Sequence, residues 1–121
     1  MLTGALIIES LRIGTVLEDI SLTIRKLSRS PMPDVSQDQP EIWTVVEFVA
    51  DHHDADVLAE KLSHVLGSPG WYASFETNED DQVYVVFPGR VFRYARHNDA
   101  QHKEALTYAR AAGVPEDQCD W

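Results

Sequence analysis

The alternation of apolar and polar positions along the chain predicts eight elements in the order β-β-β-α-β-β-β-α. Residues 4–12 and 19–25 read as strands. In the second, Ile20, Leu22 and Ile24 alternate with Ser21, Thr23 and Arg25, the period of two of a half-buried strand. Residues 42–49 are apolar on both sides, with Ile42, Val46 and Phe48 on one face and Trp43, Val45 and Val49 on the other. Glu47 interrupts the second face. A strand buried on both faces belongs near the centre of a sheet. Residues 54–66 then switch to a helical period, with Leu58, Leu62 and Val65 on one stripe. Asp51 or Asp54 is placed to cap this helix, Asp56 suits the positive end of its dipole, and Gly67 with Pro69 stops it.

Strands resume at residues 71–76 and 82–87, joined by the acidic turn Asn78-Glu79-Asp80-Asp81. Pro88 and Gly89 suit a type II turn into a strand at 91–94. That geometry fits a tight two-residue hairpin poorly, so a bulge or bend is expected there. A last helix spans 99–112, capped by Asn98 or Asp99, with Ala105, Tyr108, Ala109 and Ala112 inward. The acidic tail to Trp121 reads as coil.

Residues 30–40 hold Pro31, Pro33 and Pro40 with Asp34, Ser36 and Asp38, which forbids a regular helix and leaves a solvated loop. Neither flank is long enough for a separate domain, so residues 1–121 are expected to form one α+β domain. Its sheet should be mostly antiparallel, of five to six strands, with both helices packed on one face. A ferredoxin-like arrangement is a relative, but no helix separates the first two strands.

Charge narrows the range of partners. Twenty acidic residues against ten basic ones give a net charge of −10. Nucleic-acid backbones and anionic membranes are bound by exposed Lys and Arg, so neither is an expected partner. Cys119 is the only cysteine and no zinc-type spacing exists. The first residues carry no basic segment, and Glu9 ends their apolar run too early for a signal peptide or membrane span, so a cytoplasmic location is expected.

The candidate chemistry is sparse. In Asp51-His52-His53-Asp54-Ala55-Asp56, imidazoles and carboxylates are ligand types for zinc, nickel or iron. Adjacent side chains at a strand-to-helix junction point apart, however, and His64 is too distant to be taken as a third ligand. An acidic helix start with solvated histidines is the simpler account. No tight metal site and no cofactor are expected. Nucleophilic catalysis lacks a Gly-x-Ser-x-Gly elbow, and Asp117 and Asp120 would blunt the Cys119 thiolate. Gly67-Ser-Pro-Gly70 lacks the spacing and lysine of a phosphate loop.

Glu47 on its apolar strand needs a partner, and Arg93 or Arg90 is the natural one. Trp71, Tyr72 and Tyr84, interleaved with Arg90, Arg93 and Arg96, could line a pocket for a flat or anionic small molecule. The same aromatics are also the material from which a core must be built. Trp43-Thr-Val-Val-Glu-Phe48, Gly70-Trp-Tyr72 and the run from Val85 to Tyr94 resemble segments of a set of small uncharacterised bacterial proteins. That resemblance implies no activity and no catalytic residues.

Two functions compete. The first is a non-catalytic acidic interaction or accessory module acting as a homodimer, with a basic protein as a further partner, as for an immunity protein or antitoxin. The second is a small-molecule-binding protein or small enzyme using Glu47, Trp71, Tyr72, Tyr84, Arg90 and Arg93. The lack of a catalytic signature argues against an enzyme. The homodimer expectation rests on the last hairpin. One of its faces suits the core beneath the helices, while Tyr84, Val86 and Val91 on the other need a cover, supplied by a twofold partner or by the N-terminal strands.

Overall fold

The computed structural model describes residues 1–33 and 35–121; Asp34 of the proline-rich loop lies outside the described residues. Its strands are β1 (Leu2–Ile7), β2 (Thr23–Pro31), β3 (Ile42–Ala50), β4 (Ala73–Thr77), β5 (Gln82–Phe87) and β6 (Arg90–Ala95). Helix α1 (Ala55–Val65) follows β3 and helix α2 (Asp99–Ala111) follows β6. The strands form one antiparallel sheet in the order β2-β3-β1-β4-β5-β6, an α+β fold. β1 lies in the middle, with Leu2 opposite both Ala50 and Thr77. At Gly4 its neighbours on either side are Phe48 and Phe75, and a Cβ there would approach the Phe75 Cβ to 2.6 Å. Only glycine lets those two rings share the centre of the sheet.

The helices do not share a face. Leu58, Ala59 and Leu62 of α1 pack with Phe48, Phe75, Tyr84 and Val86. Ala105 and Ala109 of α2 pack with Val85, Phe87 and Tyr94. Successive residues of β5 point to opposite sides, so its continuous apolar run needs a cover on each side, and one helix supplies each. The face expected to seek a twofold partner is therefore the one beneath α1. Tyr84 and Val86 are buried and Val91 is half-buried.

Other departures have equally local causes. β2 begins at Thr23 and runs through Pro31, later than the alternation predicts, and nearly all of it is exposed. It is an edge strand held by its ladder to β3, so its polar sequence carries no burial signal, while Ile20 and Leu22 pack on the core from the preceding coil. β1 ends at Ile7, where a short 3-10 turn (Ile8–Ser10) takes the chain over β3. There the Glu9 carboxylate accepts from the Thr44 amide (2.5 Å) and hydroxyl (2.8 Å).

The β5–β6 hairpin has no bulge. Phe87 pairs with Arg90 and Val86 with Val91, and Gly89 at φ +74° completes the turn. The Gly89 amide donates to the Ser63 carbonyl (2.9 Å), so the end of α1 holds a turn that is poorly suited to the strands alone. The tail is not free coil. Trp121 folds back against Tyr72 (4.8 Å between ring centroids), Phe87 (6.3 Å) and His102 (6.4 Å).

Candidate functional site

β1 and β5 start, and β3, β4 and β6 finish, at the same end of the sheet; both helices begin there too. This end gathers exposed carboxylates from three connections: Asp51, Asp54 and Asp56 after β3, Glu79, Asp80 and Asp81 between β4 and β5, and Asp99 after β6. The placement has a local logic, because acids suit helix N-termini and the turns before them. Asp51 caps its turn by accepting from the His53 amide (2.9 Å), and Asn98 caps α2 by accepting from Gln101 (3.2 Å). Two arginines offset part of the charge. Arg93 bonds both oxygens of Asp56 at 3.0 Å and lies 3.4 Å from Asp80, while Arg96 lies 3.2 Å from Asp81.

The six sequence-identified ligand candidates do not gather into one pocket. Glu47 projects exposed on the α2 face and lies 3.7 Å from Lys26, not from an arginine. Its register partner on the edge strand is Lys26, and Arg90 and Arg93 stand on the far edge. Trp71 is buried against Trp43, with ring centroids 5.4 Å apart. Tyr72 donates to Asp120 (2.6 Å) and to the Gln118 carbonyl; burial, then the Asp120 carboxylate, hold its hydroxyl far above the usual pKa. Arg90 lies over Phe92 and Tyr108 at 4.6 and 5.7 Å.

Only Tyr84 and Arg93 meet, both on the α1 face. The Tyr84 hydroxyl donates to Asp56 (3.0 Å), and burial, reinforced by that carboxylate, pushes its pKa up to about 12. Arg93 sits 5.4 Å over the same ring. Most of the aromatic set is core.

Two features were not apparent in the sequence. On the α2 face, the helix leaves β1, β3 and β4 open beside it. The resulting cleft of about 570 Å³ is lined by Glu47, Glu76, Arg96, His97, His102 and Trp121, among others. The indole Nε1 of Trp121 is buried there and faces the Tyr94 hydroxyl. A lone tryptophan closing an acidic tail was the available signal. The second feature is Glu79, which the β4–β5 hairpin carries back to the end of β3. Its Oε2 lies 2.9 Å from His52 Nδ1 and also contacts the amino group of Met1.

The His52 and His53 rings lie with centroids 4.0 Å apart and planes tilted by 35°, and His53 Nδ1 is 2.9 Å from Asp51 Oδ1. Hydrogen bonds from the His53 amide, then from its ring, hold the Asp51 carboxyl below the usual range. His64 is elsewhere, 3.1 Å from Glu60 on α1. Cys119 is half-buried, and burial followed by the Glu116 charge raises its thiol pKa, so it is no better a nucleophile than its acidic surroundings imply. No family model, curated protein or solved structure matches the chain.

Proposed function

We propose that the chain is a non-catalytic interaction module that receives a basic protein partner at the acidic end of its sheet. The supporting observation is the gathering of carboxylates from three connections at that one end. The opposite polarity sits on the edge strand β2, where Arg25, Lys26 and Arg29 are exposed. A charge distribution of this kind steers and orients a cationic partner, and its effect falls with salt. The reading is tested with a nine-arginine peptide at low ionic strength. Asp54→Lys/Asp81→Lys should weaken its binding about tenfold or more, corresponding to ~1.4 kcal/mol. Glu41→Lys/Glu104→Lys, the same change of net charge placed elsewhere, should leave most of the affinity. Equal losses in the two variants would mean that only net charge matters, and the acidic end would lose its role.

The module acts as a homodimer in this reading, with the seam on the β2–β3 flank instead of beneath α1. Ile24, Leu27 and Ile42 share one face there by register and are 59%, 63% and 50% exposed. They surround a polar centre that is already satisfied, in which Arg29 donates to the Thr44 hydroxyl (3.1 Å) and Glu9 accepts from Thr44. A twofold partner buries such a patch with one set of residues. Light scattering at micromolar concentration should report twice the chain mass, falling to one chain in Leu27→Glu. A wild-type monomer would remove the seam.

A second reading, a small-molecule-binding protein, is favoured by the buried Trp121 Nε1 at the wall of the cleft on the α2 face. Its neighbour there is the Tyr94 hydroxyl, and a ligand carbonyl or carboxylate entering the cleft would compete for the indole N–H.

A further inference from the structure

We propose that Asp51, His52, His53 and Glu79 bind one divalent transition-metal ion of the zinc or nickel type. The donor set is two imidazole nitrogens and two carboxylate oxygens, a combination that suits these metals. Ligand atoms from Asp51, His52 and His53 all lie within 4.8 Å of one another. Three separations are close to ligand-to-ligand contact: His53 Nδ1 to Asp51 Oδ1 at 2.9 Å, His52 Nδ1 to Glu79 Oε2 at 2.9 Å, and His52 Nδ1 to Asp51 Oδ1 at 3.7 Å. With metal–ligand bonds of ~2.0–2.1 Å, the edges of a tetrahedron are about 3.3–3.4 Å, so small shifts would seat an ion among the Asp51, His52 and His53 atoms, with Glu79 turning in from its place beside His52.

Glu79 distinguishes this arrangement from a local turn. Asp51, His52 and His53 are consecutive, and their contacts alone would be ordinary capping. Glu79 arrives from a different hairpin, between β4 and β5, and supplies the ligand that the junction otherwise lacks. The set is also held in place. The His53 amide fixes Asp51, and half-buried His52 stands between the two carboxylates. Asp51, His53 and Glu79 are exposed, so an ion can enter without any opening of the fold. The same exposure leaves the charges well solvated and sets the affinity at micromolar rather than nanomolar. Binding would tie the end of β3 to the β4–β5 turn and place two positive charges among the acids of that end.

The test uses the untagged full chain, titrated calorimetrically with zinc chloride and, separately, nickel chloride. One ion per chain with a micromolar dissociation constant is expected. At a tenfold excess over that constant the thermal midpoint should rise by ~5 °C. His52→Ala and Glu79→Gln should each weaken binding about tenfold or more while leaving the far-UV circular dichroism unchanged. Glu60→Gln/His64→Ala, which removes the other histidine–carboxylate pair, should change nothing. Absence of saturable binding up to millimolar metal would overturn the proposal. So would affinity that survives Glu79→Gln, or affinity lost with the Glu60–His64 pair. No partner protein enters the measurement, so its result is independent of the proposed function.

Discussion

Leu62→Ala is expected to lower the unfolding free energy by ~2–5 kcal/mol, read as a shift of the urea midpoint with unchanged slope. Leu62 is 1% exposed and belongs to the core cluster beneath α1 with Leu2, Phe48, Leu58, Phe75 and Val86. Truncation removes apolar area and leaves a cavity against strands that are fixed by their ladders, so collapse around the void is limited. Against a total stability of ~5–15 kcal/mol for a domain of this size, that loss is a large fraction. An unchanged midpoint would mean that α1 presents a different stripe to the sheet.

Val86→Glu is expected to abolish the fold. Val86 is 0% exposed, on the β5 face that α1 covers. A carboxylate there would be desolvated, and its neighbours in that cluster are chiefly aliphatic and aromatic. The cost of several kcal/mol for an unpaired buried ion approaches the whole stability of the domain. Far-UV circular dichroism and a thermal scan would show it directly. The substitution also separates two architectures. With both helices on the other face, Val86 would lie on an outer surface, and the variant would be a folded chain deprived of a partner. A cooperative thermal transition in Val86→Glu would therefore restore that arrangement and remove α1 from this face.

The strand and helix periods were legible where burial is one-sided or complete. α1 was marked by Leu58, Leu62 and Val65, and both strands of the last hairpin were marked by their apolar residues, although Val86–Val91, Val85–Phe92 and Tyr84–Arg93 pair without the bulge or bend expected at Pro88-Gly89. β2 was misplaced because an exposed edge strand is specified by backbone hydrogen bonds, and Thr23 to Pro31 carry almost no apolar alternation. The division of the helices between two faces was implied by the two-sided apolar run in β5, yet periodicity alone does not say which cover goes where. The candidate sites were less legible than the fold. Glu79 reaches His52 only through the sheet register that brings Thr77 beside Leu2 and Leu2 beside Ala50. Glu47 and the arginines were adjacent in chemistry but not in space, because Lys26 occupies the neighbouring rung of the ladder.

The central position of β1 sets the order in which the chain can assemble during synthesis. β1 precedes both of its partners in the chain, residues 45–50 on one side and 74–77 on the other, so during synthesis it waits for both. β2 and β3 can meet as a local pair, and β4, β5 and β6 as a local meander, but within the sheet their ladders join only through β1. Until residue 77 has emerged, the apolar residues of β1 have no completed sheet in which to be buried. Such long-range closure is slow compared with hairpin formation. The nascent chain thus passes through a stage with two open strand edges, the period in which a chaperone or a neighbouring copy can compete for the place that β1 will fill.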